Sequence, residues 1–258
     1  MPHDLQGKRI LVTREAKQAR VFSEKIIVAG GVPIEVPLLK IACKQAENSN
    51  QILEKLPGYH WIIFTSANGV HCFFKQLPDG MEALPEQIKI AVVGHKTEEA
   101  LLNYYRSADL MPEVYDADSL ADIFLKKYEA GESILLVRGN RSRDVLPKVF
   151  TAKGIGFDSI EVYETTINKQ NGDKLQKILS EHDLDFITFT SPSTVQSFVK
   201  LSGKHDTSCV CIGTTTEKVA IEHGFSSILT AEEFTIEGMI KVMSDYIAME
   251  GNGQIDNK

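Results

Sequence analysis

Short apolar runs alternate with amphipathic segments from one end of the 258-residue chain to the other. The runs predict strands over 9–13, 33–41, 61–65, 89–93, 108–111, 133–137, 157–167, 186–190, 208–212 and 227–230. Residues spaced for one buried face predict helices near 16–29, 48–56, 68–77, 96–105, 118–129, 142–153, 172–182, 192–201, 214–223 and 235–248. Short strands separated by helices predict an α/β fold with parallel sheets covered by helices on both faces. Gly30-Gly31, Gly131 and Gly224 follow predicted helices, as helix stops do. The tail from Gly251 to Lys258 is polar and expected to fray.

The pattern occurs twice. Trp61-Ile-Ile-Phe-Thr-Ser66 matches Phe186-Ile-Thr-Phe-Thr-Ser191, and Val70 and Phe73 match Val195 and Phe198. Val93-Gly94-His-Lys-Thr97 matches Ile212-Gly213-Thr-Thr-Thr216. Ile10-Leu-Val-Thr-Arg14 matches Ile134-Leu-Leu-Val-Arg138, and Glu35-Val36 matches Glu161-Val162. The matches keep one order at an offset of about 124 positions, far longer than a solenoid repeat, so they mark two similar domain-sized halves. The predicted strands 33–41 and 157–167 are the longest and sit at matched places. Strands that long are expected to run between domains. The expected division is a discontinuous domain of residues 1–36 plus 169–258, an inserted domain of 39–164, and a two-stranded linker of 37–41 and 161–168, with a ligand cleft between the domains.

Composition narrows the function. Hydrophobic residues make up 43% and charged residues 24%, as in ordinary globular proteins. The net charge of −7 gives no basic footprint for nucleic acid. The first apolar run, Ile10-Leu-Val12, is too short for a signal sequence, and no run approaches membrane-spanning length. The chain is therefore expected to be cytoplasmic, with no membrane partner. Cys43, Cys72, Cys209 and Cys211 form no Cys-x-x-Cys pair and are expected to be buried free thiols.

The usual catalytic signatures are missing: the chain has no phosphate-binding loop, dinucleotide fingerprint, nucleophile elbow or His-Glu-x-x-His. Its seven histidines have no metal-ligand spacing. What remains is four hydroxyl-rich turns, Thr65-Ser66, Gly94 to Thr97, Thr190-Ser191 with Ser193, and Gly213 to Thr216. Each follows a strand and opens a helix. As plain caps, Ser191 before Pro192 is favourable and Thr214-x-x-Glu217 fits a capping box. All four also lie at carboxyl ends of predicted parallel strands, where α/β sheets bind ligands and helix starts offer N–H groups to anions. Such neutral donors suit a polycarboxylate on an acidic protein. Arg14 and Arg138 end equivalent strands, and Arg138-Gly-Asn-Arg141-Ser-Arg143 is a compact cationic turn suited to pairing carboxylates. Tyr163 stands where the other half has Pro37. It is either a packing residue or the proton donor of a site that has no other.

Together these segments resemble the uroporphyrinogen-III synthase family. Leu11-Val-Thr-Arg14, Phe64-Thr-Ser-Ala-Asn-Gly-Val70, Val93-Gly94-x-x-Thr97, Val137-Arg-Gly-Asn-Arg141, Glu161-Val-Tyr-Glu-Thr165, Phe189-Thr-Ser-Pro-Ser193 and Ile212-Gly-Thr-Thr-Thr216 cover almost the whole chain in order. The resemblance implies two α/β domains joined by a two-stranded linker. It implies that linear hydroxymethylbilane closes to uroporphyrinogen III between them, with ring D inverted through a spirocyclic intermediate, water lost and no cofactor or metal used. It places the family's tyrosine at Tyr163, its glycine-plus-threonine turns at Thr97 and at Thr215 and Thr216, and its serine turns at Ser66 and Ser191. His95-Lys96 departs from Thr214-Thr215 of the other half, and Lys96 is expected to add a charge for a substrate carboxylate. Expected partners are the substrate and a transient contact with the preceding enzyme, for a monomeric protein in haem biosynthesis. A two-lobed anion-binding or regulatory protein of the same ancestry is the alternative.

Overall fold

A computed structural model describes residues 4–77, 84–181 and 183–253. The chain begins with β1 (Arg9–Val12), α1 (Ala16–Val28), β2 (Val32–Glu35) and β3 (Leu39–Cys43). Next come α2 (Ser49–Glu54), β4 (Trp61–Phe64), α3 (Ala67–Phe74), β5 (Lys89–Val92), α4 (His95–Leu102) and α5 (Ala117–Leu125). β6 (Ile134–Gly139), α6 (Val145–Ala152), β7 (Asp158–Ile167) and α7 (Gly172–Glu181) follow. The chain continues through β8 (Phe186–Phe189), α8 (Pro192–Ser202), β9 (Cys209–Cys211), α9 (Thr214–Glu222), β10 (Ile228–Thr230) and α10 (Ile236–Gly253). The tail expected to fray from Gly251 lies, from residue 254 on, outside the described residues.

The strands form two five-stranded sheets, ordered β10-β9-β8-β1-β2 and β3-β7-β6-β4-β5. The first belongs to a unit made of the chain up to Lys40 and from Thr166 onward; the second belongs to a unit of Ile41–Thr165. Both boundaries fall inside strands, β3 and β7. The β1, β2, β8, β9 and β10 ladders are parallel, as are those linking β7, β6, β4 and β5. The sheets therefore share their parts crosswise. β1 and β2 of the first repeat lie beside β8 and β9 of the second, while β6 and β7 of the second lie beside β4 and β5 of the first.

Burial on both faces explains the unbroken apolar runs. In β4, Trp61 and Ile63 enter one core with Phe124 and Phe150, while Ile62 and Phe64 enter another with Phe73, Val137 and Val162. In β1, Ile10 and Val12 pack with Phe22 and Met243, and Leu11 packs on the other face with Phe189 and Phe198. Each such large side chain contributes about 1.5–3 kcal/mol when fully buried.

Four local expectations are corrected. The single strand expected over 33–41 is two, β2 and β3, and they lie in different sheets. Between them Val36 and Leu38 are fully buried, and the Pro37 carbonyl accepts from Asn168 and Asn171, so the intervening residues are committed to packing. The strand expected at 108–111 is reduced to one bridge, Ala91 to Leu110. There the Asp109 carboxylate takes the Ile90 N–H at 2.7 Å, in competition with a longer ladder. At α9, Gly213 is the N-cap and Thr214 the first helical residue, so the expected capping box does not form. Finally, Cys43 and Cys72 are joined by a disulfide rather than standing as free thiols. The edge strand β3 and helix α3 bring their Cα atoms to 5.2 Å, inside the range of about 4.4–6.8 Å that a disulfide requires. Cys209 and Cys211 are free and buried; their mutual hydrogen bond and burial push the Cys211 thiol strongly upward.

Candidate functional site

Four strand ends carry the hydroxyl-rich turns, and local chemistry shapes each. Ser66 is extended at the N-cap of α3, where its Oγ accepts from Gly69 N at 3.0 Å. Ser191 caps α8 in a reciprocal capping box with Thr194, and its Oγ lies 2.9 Å from Ser193 Oγ. Gly94 and Gly213 cap α4 and α9 without any side-chain bond. Thr97 and Thr216 are buried within the first turns of those helices, while Lys96 and Thr215 are exposed beside them.

In the Ile41–Thr165 unit the strand ends surround a cavity of about 370 Å³, lined by Thr65, Val93, Tyr115, Asp116, Ala117, Ser142, Arg143 and Tyr163. Tyr163 is the centre of its polar chemistry. The ladder between β6 and β7 shifts register after Arg138, so that Gly139 rather than a bulkier residue pairs with Tyr163. The Tyr163 ring lies against Gly139 so closely that a Cβ there would sit 2.2 Å from Cζ. The phenol then reaches α3, where Ser66 Oγ donates to the Tyr163 oxygen at 3.0 Å. Because that oxygen already accepts, the phenolic proton can be given to something else.

The arginines divide differently. Arg138 is held by its own turn, donating to the Ser142 carbonyl at 3.1 Å and pairing with Asp144. That pairing holds the Asp144 carboxyl below the usual range. Arg141 is exposed, and Arg143 lines the cavity. Arg14, in the other unit, is half-buried, with Nε on Gln18 at 2.6 Å, and its burial lowers the guanidinium pKa. Thr65 and Tyr163 thus meet in one cavity with Ser66 bonded to the phenol. Gly94, Lys96 and Thr97 lie at the next strand end of the same unit, and Arg14, Ser191, Ser193, Gly213, Thr215 and Thr216 belong to the other unit. Tyr115 and Asp116 line the cavity without any signal in the sequence, whereas Arg143 was legible as part of the cationic turn that begins at Arg138.

Comparison with known proteins agrees with the motifs. The sequence model described as "Uroporphyrinogen-III synthase HemD" matches residues 20–241. The "Porphyrin biosynthesis protein HemD" of Ruminiclostridium josui is 31% identical over 99% of this chain, which spans about half (51%) of that protein's length. A uroporphyrinogen-III synthase of Chlorobaculum parvum is 29% identical over 92% of this chain and 98% of its own. The crystal structure of the Helicobacter pylori uroporphyrinogen-III synthetase superposes with a TM-score of 0.63 at 14% identity, covering 93% of this chain and 99% of that one, and so shares the fold. With the matched stretch running through both halves of the repeat and all four strand-end turns, the chain belongs to the uroporphyrinogen-III synthase family.

Proposed function

We propose that this protein cyclises linear hydroxymethylbilane to uroporphyrinogen III, inverting ring D and releasing water. The observation that carries the reading is the Ser66-to-Tyr163 hydrogen bond at the rim of a cavity that also holds Thr65 and Arg143, in a chain of this family. The C–O bond of the substrate's hydroxymethyl group breaks as Tyr163 gives its proton to the departing hydroxide, which leaves as water. The resulting cation is attacked by ring D at its already substituted carbon, giving the spirocyclic intermediate. Rearrangement and ring closure then release a proton from the ring D carbon that forms the new bond, and this proton returns to the Tyr163 phenolate. A neutral donor suits this step, because an ionised carboxyl beside a substrate with eight carboxylates would repel it.

Holding a reactive chain in one productive conformation supplies the rest of the catalysis. We propose that substrate carboxylates are held by backbone N–H groups at the helix starts after Thr65, Gly94, Thr190 and Gly213, with Thr97, Ser193, Thr215 and Thr216 beside them. Lys96, Arg14, Arg138 and Arg141 add secondary charge. The protein works as a monomer and makes transient contact with the preceding enzyme of the pathway.

The test is direct. Purified protein is mixed with freshly made hydroxymethylbilane, and the product is oxidised and separated by isomer. Uroporphyrin III is expected in excess over isomer I, which forms without enzyme; isomer I alone overturns the reading.

A further inference from the structure

Tyr115 and Phe234 stand at equivalent places in the two halves of the chain, each 21 positions after the glycine of its turn. Glu113-Val-Tyr115-Asp116-Ala-Asp118-Ser-Leu120 follows Gly94 at the same spacing as Glu232-Glu-Phe234-Thr235-Ile-Glu237-Gly-Met239 follows Gly213. In both, the residue after the ring caps the next helix. Asp116 Oδ1 accepts from Ser119 N at 2.7 Å, and Thr235 Oγ1 accepts from Gly238 N at 3.0 Å. In both, the aromatic residue packs on the glycine. A Cβ at Gly94 would meet Tyr115 Cβ at 2.9 Å, and one at Gly213 would meet Phe234 Cδ1 at 2.8 Å. Neither glycine is needed for its backbone, since φ is 179° and 176°, extended values open to any residue. The close approach of the ring is what excludes a side chain there.

A packing role alone accounts poorly for these rings. An apolar residue just before a cap normally staples to the residue four positions into the helix. Leu120 and Met239 are fully buried, yet Tyr115 remains 53% and Phe234 65% exposed. Each seat therefore holds a large ring in place with much of its surface in water. Tyr115 further lines the cavity that holds Tyr163, Thr65 and Arg143. A ligand entering it meets an aromatic surface, a cation and a hydroxyl together.

We propose that Tyr115 and Phe234 are ring-stacking residues, each taking one pyrrole ring of the tetrapyrrole, linear substrate and cyclic product alike, against its exposed surface. The inference rests on the functional reading above and adds what grips the rings rather than their carboxylates. Aromatic rings attract one another in offset or edge-to-face geometry. Such contact holds a pyrrole by its face and leaves its acetate and propionate arms to Arg143 and to peptide N–H groups.

The test uses the full chain, with reduced uroporphyrinogen III as the binding probe and hydroxymethylbilane as substrate. Tyr115→Leu and Phe234→Leu keep an apolar side chain on the glycine and remove the ring. Each is expected to weaken product binding, and to raise KM, by about tenfold. kcat should change far less, and the thermal midpoint should stay close to that of the parent. Tyr115→Phe and Phe234→Tyr are expected to restore affinity, which a merely structural role would not require. Wild-type protein that makes isomer III, with both leucine variants within about twofold of it in affinity and KM, overturns the stacking role alone. Wild-type protein that yields only isomer I removes the functional reading and this inference with it.

Discussion

Ser66 Oγ donates to the Tyr163 hydroxyl oxygen at 3.0 Å while accepting from Gly69 N, so one serine both caps α3 and orients the phenol. The two duties are separable by experiment. Tyr163→Phe removes the proton and keeps the ring; it is expected to fold normally, bind product, and lose about 10²-fold or more in kcat. Ser66→Ala leaves the phenol its proton and is expected to lose far less activity, together with about 1 kcal/mol of stability from the lost cap. Near-normal turnover by Tyr163→Phe on fresh substrate removes the acid assignment and leaves family membership untouched.

Gly139 gives the second prediction. A methyl group there would overlap the Tyr163 ring at 2.2 Å, so Gly139→Ala must displace the ring from its seat. The kcat loss is expected to approach that of Tyr163→Phe. The double variant should be no slower than Tyr163→Phe alone, because both changes act on the one proton donor proposed above. Losses that multiply in the double variant would assign Gly139 a separate role.

Glu132 links stability to pH. Burial opposes its ionisation, but bonds from Glu129 N–H, Lys89 Nζ and Trp61 Nε1 outweigh that, and the carboxyl titrates below its ordinary value. A depressed carboxyl stabilises the fold above its unfolded pKa and ceases to do so as pH falls through the folded one. Stability from this group should therefore decline below about pH 4.5. Trp61, the one tryptophan of the chain, lies in the same cluster and gives the fluorescence readout. Glu132→Gln is expected to lower the thermal midpoint by several degrees at neutral pH and to flatten the acid decline. An acid decline equal to that of the parent would place the effect elsewhere.

The Cys43–Cys72 bond closes a loop over a separation of 29 residues, for which chain entropy predicts about 3–4 kcal/mol of stabilisation. Thiol titration of protein denatured without reductant is expected to find Cys209 and Cys211 alone. The Cys43→Ser, Cys72→Ser double variant should unfold at clearly lower denaturant concentration. Four titratable thiols in the parent would restore the free-thiol expectation.

Features that depend on neighbouring residues were legible in the sequence. Phe64-Thr-Ser66 and Phe189-Thr-Ser191 read as strand followed by capped helix, because an apolar run and an N-cap hydroxyl act within a few positions of each other. Membership of the family was legible for the same reason, since it rests on short motifs kept in order. What needed the tertiary structure were relationships between residues far apart in sequence. The run 33–41 looks like one strand until Asn168 and Asn171 claim Pro37 and the two ends join different sheets. Cys43 meets Cys72 through the packing of an edge strand on a helix. Arg138 and Arg143 are chemically alike, yet one turns back onto Asp144 and the other faces the cavity, a choice made by the path of their turn. Tyr163 was a tyrosine of two possible roles. Its seat on Gly139 and its bond from Ser66 are contacts across 24 and 97 positions, and no local propensity encodes them.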